Sequence, residues 1–319
     1  MQNVRQILGF AIVVWAGVSL AMPVLPQISS RSSTLEARQN PQTGLPDGLT
    51  DVDILEFALT LENLETAFYE QGFAKFPDSD FAALGLKEDD ILNLKSIAKT
   101  EATHVSTLLS AVAATGAAPV LPCVYDFKFT NAAAMIATAG VLENVGVSAY
   151  LAAAPLVKKP AILTVAAEIL TVEARHQTFI RTASKAAAIP GAFDTPLGIR
   201  AVFTIASNFI QSCPAGSNLA ITPFPALTTI ASPGMAKAFA GSEVKIESPA
   251  DTAASATSCA FVNGGQTGGS AFTPFQNGAC VVPMGLTGIT YVHLTSSTPP
   301  DGVLTDAITV AGPLVMTIN

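Results

Sequence analysis

The sequence predicts an α+β protein with two parts: an N-terminal bundle of four helices plus a fifth helix, and a C-terminal small antiparallel β-sandwich. Apolar residues recur at helical spacing across residues 49–212. Residues 213–319 instead show short β-prone runs, such as "VKIES", "SCAFV" and "ITYVHLTS", between turns rich in Gly, Pro and Ser. With 319 residues, 50% hydrophobic and 13% charged, the chain can bury a core in both parts.

The first 48 residues precede the predicted bundle and resemble targeting and leader sequence. "MQNVR" is a short basic start, and the apolar run after it closes on small residues, so residues 1–21 are interpreted as a signal peptide. A membrane anchor is the alternative, but the run is shorter than the ~20 residues of a span and Pro23 and Pro26 follow it. Residues 22–48 are interpreted as a flexible leader. We therefore expect a secreted, extracellular or cell-surface protein with no membrane span in the mature chain.

The charge balance argues against nucleic acid as a partner. The formal net charge is −8, and the sequence contains no basic run or stripe. Proteins that bind nucleic acid present clustered Lys and Arg. Nothing in the sequence identifies a partner for the β-rich part.

Four cysteines in a secreted chain indicate two structural disulfides. Four cysteines allow three pairings, and the sequence alone does not choose among them. Cys259 and Cys280 lie close together in a region rich in Gly and Ser, so a local bridge is the first expectation there. Cys123 and Cys213 would then form the second bridge.

Five helices are predicted before residue 213. The first four cover about residues 50–72, 87–115, 131–154 and 160–188, and the fifth begins at "DTPLGIRAVF" and ends before "QSCPAG". Thr50 is the expected N-cap of the first helix, and Asp194 or Thr195 is the expected cap of the fifth. The segment between the second and third helices has about fifteen residues, which can extend to roughly 50 Å and so run the length of a bundle.

A Glu-x-x-His pattern occurs twice, once on the second predicted helix and once on the fourth. "EATH" contains Glu101 and His104, and "EARH" contains Glu173 and His176. Residues three apart are neighbours on one helix face, so both side chains of a pair can reach one point beside the helix. The third histidine, His293, lies in a strand-like run without a partner and is interpreted as a structural or surface residue.

The first and third predicted helices share a second pattern. "LENLETAFY" places Glu62 seven residues before Tyr69, and "LENVGVSAY" places Glu143 seven residues before Tyr150. Seven residues are close to two turns, so each Glu shares a helix face with its Tyr. Glu65 is the alternative to Glu62, but only Glu62 keeps this spacing. The two helix pairs therefore look like an internal duplication.

All four carboxylates of these patterns lie on apolar stripes that should face the bundle core. Buried carboxylates are costly unless they are protonated, paired or bound to metal. No Lys or Arg shares the stripes except Arg175, which should face elsewhere. Two divalent cations would balance four carboxylates. The sequence therefore predicts a dimetal site with six ligands: Glu62, Glu101, His104, Glu143, Glu173 and His176.

This ligand pattern resembles that of the ferritin-like superfamily, whose four-helix bundles take one Glu from each of two helices and Glu-x-x-His from the other two. The resemblance covers residues 50–212. Within the superfamily, "LEFALTLENLETAFYEQG" and the Pro122–Cys123 segment are similar to secreted fungal Rds-type stress-response proteins and plant desiccation-related proteins.

The resemblance implies a role for each residue and a cofactor. Two Fe or two Mn ions would be bound, and the site would handle O₂ or peroxide in catalase-, oxidase- or ferroxidase-like chemistry. A protein that binds metal without turnover, and a structural surface or stress protein, are the alternatives. The implied roles are terminal ligation by Glu62 and Glu143, bridging by Glu101 and Glu173, binding of one ion each by His104 and His176, and support from just outside the ligands by Tyr69 and Tyr150.

Overall fold

A computed structural model describes residues 48–217, 221–229 and 236–318. The predicted signal peptide and residues 22–47 of the predicted leader lie outside the described residues. The helices that precede the β-rich part are α1 (Asp51–Lys75), α2 (Asp78–Ala83), α3 (Glu88–Ala113), α4 (Ala132–Ala153), α5 (Pro160–Ala183) and α6 (Ile199–Ser207). Helix α1 packs on α3, α4 packs on α5, and further contacts join α1 to α4 and α3 to α5. The predicted helical bundle is confirmed.

Local sequence explains where the bundle helices begin. The Thr50 hydroxyl accepts a hydrogen bond from the Asp53 amide at 3.2 Å, and the Asp53 carboxylate accepts one from the Thr50 amide at 2.8 Å. This reciprocal capping box confirms the predicted N-cap of α1. Asn131 caps α4 by accepting from the Ala134 amide at 2.8 Å. Helix α5 starts at Pro160, where a missing N–H costs little.

Helix α5 is shorter than the sequence predicted, ending at Ala183 rather than at residue 188. Lys185 adopts a left-handed backbone conformation with φ of 58°, which cannot continue a right-handed helix. The Arg181 side chain then donates to the Ala187 carbonyl at 2.7 Å. The helix is stopped by a backbone turn that its apolar periodicity does not reveal.

The prediction that Asp194 or Thr195 caps the fifth helix is wrong, because α6 begins at Ile199. The Thr195 hydroxyl is engaged elsewhere: it donates to the Ile289 carbonyl at 2.8 Å and accepts from the Gly264 amide at 2.9 Å. Both partners belong to the β-rich part. A tertiary contact therefore takes the hydroxyl that would have served as a cap.

The connection from α3 to α4 is held in place by a small sheet and a disulfide. Strand β1 (Val124–Tyr125) pairs antiparallel with β2 (Ile210–Ser212), which follows α6. The Cys123–Cys213 disulfide joins the residues beside these strands across 90 positions of sequence. The long crossover is thus tied to the end of the helical part.

The β-rich part contains two sheets in the described residues. Its elements are β3 (Thr228–Thr229), β4 (Ala236–Ala238), β5 (Glu243–Glu247), α7 (Ala250–Ser255), β6 (Ser258–Asn263), β7 (Ser270–Pro274), β8 (Ala279–Val281), β9 (Gly288–Thr295) and β10 (Thr309–Ile318). One sheet has the order β4-β10-β9-β6-β7 and the other β3-β5-β8. The pairing is antiparallel, as predicted, except that β4 runs parallel to β10.

The five-stranded sheet is buried on both faces. Val292 and Leu294 of β9 pack in a core with residues of the three-stranded sheet, and the Cys259–Cys280 disulfide joins the two sheets. The alternate residue Tyr291 belongs to the same apolar core as the bundle helices. Because side chains alternate along a strand, His293 lies on the bundle-facing side with Tyr291. The sheet therefore sits between the bundle and the second sheet.

One segment of the described chain, Ala132–Leu156, is apolar and long enough to cross a membrane by length and composition, although the sequence interpretation named none beyond the signal peptide. Within its most apolar window, 61% is buried inside the protein. The segment contains α4, which carries buried Glu143 and Asn144. These properties are those of a central helix of a bundle.

Candidate metal centre

The bundle brings the six predicted ligands together in its core. Helix α1 supplies one Glu, α4 supplies another, and α3 and α5 each supply a Glu and a His. All six are buried, with between 0 and 8% of each residue exposed. They are Glu62, Glu101, His104, Glu143, Glu173 and His176.

The first group of potential ligands surrounds the Nδ1 atom of His104. This nitrogen lies 3.2 Å from Glu62 Oε2, 3.1 Å from Glu101 Oε2 and 3.2 Å from Glu173 Oε1. One ligand atom from each of the four residues falls within 4.8 Å of every other. The contacts with Glu62 and Glu101 have hydrogen-bond geometry, but a single N–H cannot donate well to three oxygens at once, so the three carboxylates converge on one point beside this nitrogen.

The second group has the same composition and shares two members with the first. The Nδ1 atom of His176 lies 2.8 Å from Glu101 Oε1 and 3.1 Å from Glu143 Oε2, and Glu173 completes the group. The His104 and His176 rings are 6.2 Å apart and nearly parallel. Glu101 and Glu173 belong to both groups, which is the placement that a bridging carboxylate requires.

Each tyrosine contacts the Glu of the opposite helix, not the Glu that precedes it in sequence. Tyr69 of α1 donates to Glu143 of α4, and Tyr150 of α4 donates to Glu62 of α1 at 2.6 Å. The seven-residue spacing places the Glu and the Tyr of each helix on the same face. Because these faces of α1 and α4 pack against each other, each Tyr reaches the Glu of the other helix. The reciprocal bonds orient both carboxylates from behind.

Threonine 100 orients one histidine but not the other. Its hydroxyl lies 2.9 Å from Nε2 of His176, the ring nitrogen opposite the carboxylates. Outer hydrogen bonds of this kind fix the ring and tautomer of a metal-binding His. The position that corresponds to Thr100 in the second Glu-x-x-His helix is Val172, which has no hydroxyl. The duplication is therefore incomplete.

A fifth carboxylate, Glu65, is buried beside the two groups but belongs to neither. It is 4% exposed and lies close to Glu173, since a Cβ added to Gly146 would stand 3.3 Å from Glu65 Oε1 and 2.7 Å from Glu173 Oε2. Burial, reinforced by the surrounding carboxylates, raises the pKa of Glu65 well above its usual value. Because both groups of potential ligands omit Glu65 and the first contains Glu62, the geometry favours Glu62 over Glu65 on α1.

Without metal, burial raises the pKa of Glu62 on α1 and of Glu143 and Glu173 on the second helix pair. Burial raises the pKa of Glu62 to about 7, although His104 opposes the shift. Burial also raises the pKa of Glu143, and it raises that of Glu173 well above the usual value with the help of the Glu101 charge. Each shift has the same cause, the loss of water around a charge.

The histidines show the opposite behaviour. Burial disfavours protonated His104, but hydrogen bonds with carboxylates raise its pKa to about 12, and His176 is raised to about 10 in the same way. Burial likewise opposes the charged form of Glu101, yet the two histidines lower its pKa to about 2. Protons on the imidazoles thus occupy the place that cations would take, and binding a metal must release them.

The residues fit a pair of divalent cations. Glu101 Oε1 and both oxygens of Glu173 are buried without a hydrogen-bond partner in the described part of the chain. Two of them nevertheless lie 2.8 and 3.2 Å from an imidazole nitrogen. Close approach without hydrogen-bond alignment is expected of atoms that share a cation. Two divalent ions would balance the charge of the four carboxylates in the two groups.

The sequence interpretation missed three features of this centre. It did not identify Thr100 as a partner of His176, Gly146 as the position that leaves room for Glu173, or the exchange of tyrosine partners. Thr100 adjoins Glu101, and Gly146 is one turn from Glu143. A hydroxylated residue adjacent to a predicted ligand, or a glycine one turn from one, was therefore the available signal.

Comparison with known proteins agrees with this geometry. Residues 50–186 match the family model of the ferritin-like domain. Protein rds1 of Schizosaccharomyces pombe is 23% identical over 216 residues, which are 67% of this chain and 53% of that relative. The chain therefore spans about half the length of the curated relative that it matches. The helical part of the chain therefore contains a ferritin-like domain, and the chain is similar to the Rds-type proteins.

Proposed function

We propose that this chain is a secreted ferritin-like protein that binds two iron or two manganese ions and handles O₂ or peroxide. The observation that carries the proposal is the pair of N/O groups in the bundle core, which share Glu101 and Glu173. Bound Fe or Mn would supply the redox chemistry with O₂ or peroxide.

The donor set supports the choice of metal. Four carboxylates and two imidazoles suit Fe and Mn better than they suit Cu or a structural zinc site. Glu62 and His104 would hold one ion, Glu143 and His176 the other, and Glu101 and Glu173 would bridge them. Metal ligation by these residues remains a prediction.

The surrounding residues would control protons and water. Tyr69 and Tyr150 each present a hydroxyl proton to a terminal carboxylate and so hold it in one orientation. The four carboxylates are at most 1% exposed, whereas His104 and His176 are 8% and 7% exposed. A small molecule would therefore approach along the histidine side.

Secretion is supported by two observations. Residues 1–21 have the pattern of a signal peptide. All four cysteines are disulfide-bonded in the structure. Disulfides persist mainly in oxidising, extracytoplasmic compartments.

The test compares two glutamates on one helix. We expect protein from its native source to contain two Fe or Mn ions per chain by elemental analysis. Glu173→Ala should lower the metal content and abolish O₂ or peroxide consumption, while the disulfides and remaining core keep the fold. Glu168→Ala is the matched control, because Glu168 is exposed on the same helix α5. Native protein without Fe or Mn that cannot take up either metal would contradict the proposal.

A second candidate function is metal binding without turnover. The deep burial of the four carboxylates favours it, because a closed site can stabilise the bundle without admitting a substrate. The two functions separate in one assay. Wild-type protein that holds two ions of either metal and consumes neither O₂ nor peroxide would make the non-catalytic function the better one.

A further inference from the structure

A large apolar cavity lies where the bundle meets the five-stranded sheet. Its volume is about 580 Å³, within the range of roughly 300–1,000 Å³ that is usual for small-molecule sites. The walls are mostly aliphatic and include Leu55 of α1, Val165 of α5 and Val202 of α6. Tyr150 and neighbouring residues of α4 also line the cavity. The cavity therefore borders the metal centre without containing any of its ligands.

One polar side chain of the cavity lining has no partner. His293 is 1% exposed, and neither of its ring nitrogens has a hydrogen-bond partner in the described residues. It lies on the bundle-facing side of β9, and its ring stands nearly perpendicular to the Phe224 ring, which also lines the cavity. A buried polar group without a hydrogen bond is costly, so each such group requires an explanation.

From this cavity and this histidine we infer a binding site for an uncharged lipid-like alcohol, whose hydrocarbon body fills the cavity and whose hydroxyl bonds to His293. A neutral imidazole has one donor and one acceptor nitrogen, and a hydroxyl can form a hydrogen bond with either one of them. The aliphatic walls would cover the hydrocarbon body. The inference concerns binding alone and does not depend on whether the metal centre turns over.

An uncharged head group fits better than a carboxylate. Burial lowers the pKa of His293 to about 3, so the imidazole is neutral and offers no charge to an anion. A carboxylate would have to bring its charge into an aliphatic cavity, which is costly without a paired cation. The cation on the lining, Lys159, is exposed and so lies at the solvent end. A fatty acid held there would leave His293 unsatisfied.

The experiment measures displacement of the neutral fluorescent probe N-phenyl-1-naphthylamine by three ligands of equal chain length: decanol, chlorodecane and decanoic acid. The full mature protein is used, with and without bound metal. We expect decanol to displace the probe more strongly than chlorodecane or decanoate. His293→Phe should weaken decanol binding roughly ten- to hundred-fold, as expected for a lost hydrogen bond in a buried site, and leave chlorodecane binding nearly unchanged. Val165→Trp should fill the cavity and weaken both.

Two controls keep the result decisive. His293→Gln retains a donor and an acceptor and should restore part of the preference for decanol. Thermal unfolding of each variant shows whether it is folded. Any of three results would overturn the inference. Decanol could fail to displace the probe, the His293→Phe variant could still prefer decanol, or the Val165→Trp variant could bind the ligands as well as wild type does. Tighter binding of decanoate than of decanol would overturn the inference that the head group of the ligand is an uncharged hydroxyl.

Discussion

Gly146→Ala should stabilise the metal-free protein and weaken metal binding at the same time. Gly146 is inside α4, where Ala is favoured over Gly by about 0.8–1 kcal/mol. The added Cβ, however, would stand 2.7 Å from Glu173 Oε2. To reach an ordinary contact the oxygen must withdraw by about 0.7 Å, several times the ±0.2 Å within which metal–ligand distances vary. The Glu173 side chain can move, but only by leaving the position that it shares between the two groups of potential ligands.

The matched control is Gly140→Ala on the same helix. A Cβ there would meet Ile180 Cγ2 at 3.5 Å, which is ordinary van der Waals contact. Both variants should therefore gain up to about 1 kcal/mol of helix stability in urea unfolding of metal-free protein. Only Gly146→Ala should lose affinity for Mn²⁺ or anaerobic Fe²⁺, by ten-fold or more for at least one ion.

The assay is titration calorimetry of both variants beside the wild-type protein, with elemental analysis of the loaded samples. If Gly146→Ala binds two ions as tightly as Gly140→Ala does, Glu173 is not held between two metals. If metal-free Gly146→Ala is less stable than metal-free wild type, the expectation that Ala stabilises α4 at this position is wrong, and its loss of metal affinity could then follow from that instability.

Three further predictions concern the histidines. Thr100→Val should weaken the ion held by His176 about ten-fold and leave the other less affected, measured by stepwise Mn²⁺ titration. His104→Ala should reduce metal content to about one ion or fewer per chain, whereas His293→Ala should not change it. His293 has a folded pKa of about 3 against 6.5 unfolded, so the unfolded state binds more protons between these values and stability falls as pH falls. From pH 6.5 to 4, wild type should lose up to about 3 kcal/mol more than folded His293→Phe in urea unfolding, and parallel losses would contradict a buried neutral imidazole.

The sequence was informative about several features that depend on one helix alone. The i, i+3 spacing of Glu and His and the capping box at Thr50 are local, so helix geometry alone predicts which side chains point the same way. The expected burial of carboxylates on apolar stripes then led to the prediction of a pair of metal cations. These local rules account for the predicted bundle and for the residues that the fold brings into its core.

Features that depend on how helices pack were not predictable. The contacts of Tyr69 and Tyr150 with the Glu of the opposite helix depend on the packing of α1 against α4. The spacing of residues along one helix does not predict this packing. Thr195 was a predicted N-cap of the fifth helix, but its hydroxyl donates a hydrogen bond to the Ile289 carbonyl of β9. The β-rich part was treated as separate, whereas Tyr291 reaches into the bundle and bonds to Asn144 and Ser148. Such contacts join residues far apart in sequence.

The incomplete duplication implies that the two halves of the centre are not equivalent. Each half has a Glu on one helix, a Glu-x-x-His pair on another and a tyrosine from the opposite helix. The two halves therefore have the same types of ligand. Their outer contacts differ, because Thr100 bonds to His176 whereas the corresponding position for His104 is Val172. An imidazole fixed from behind loses less freedom when it binds a metal. If the site binds two ions, the ion beside His176 should therefore bind first, and the ion beside His104 should exchange more readily.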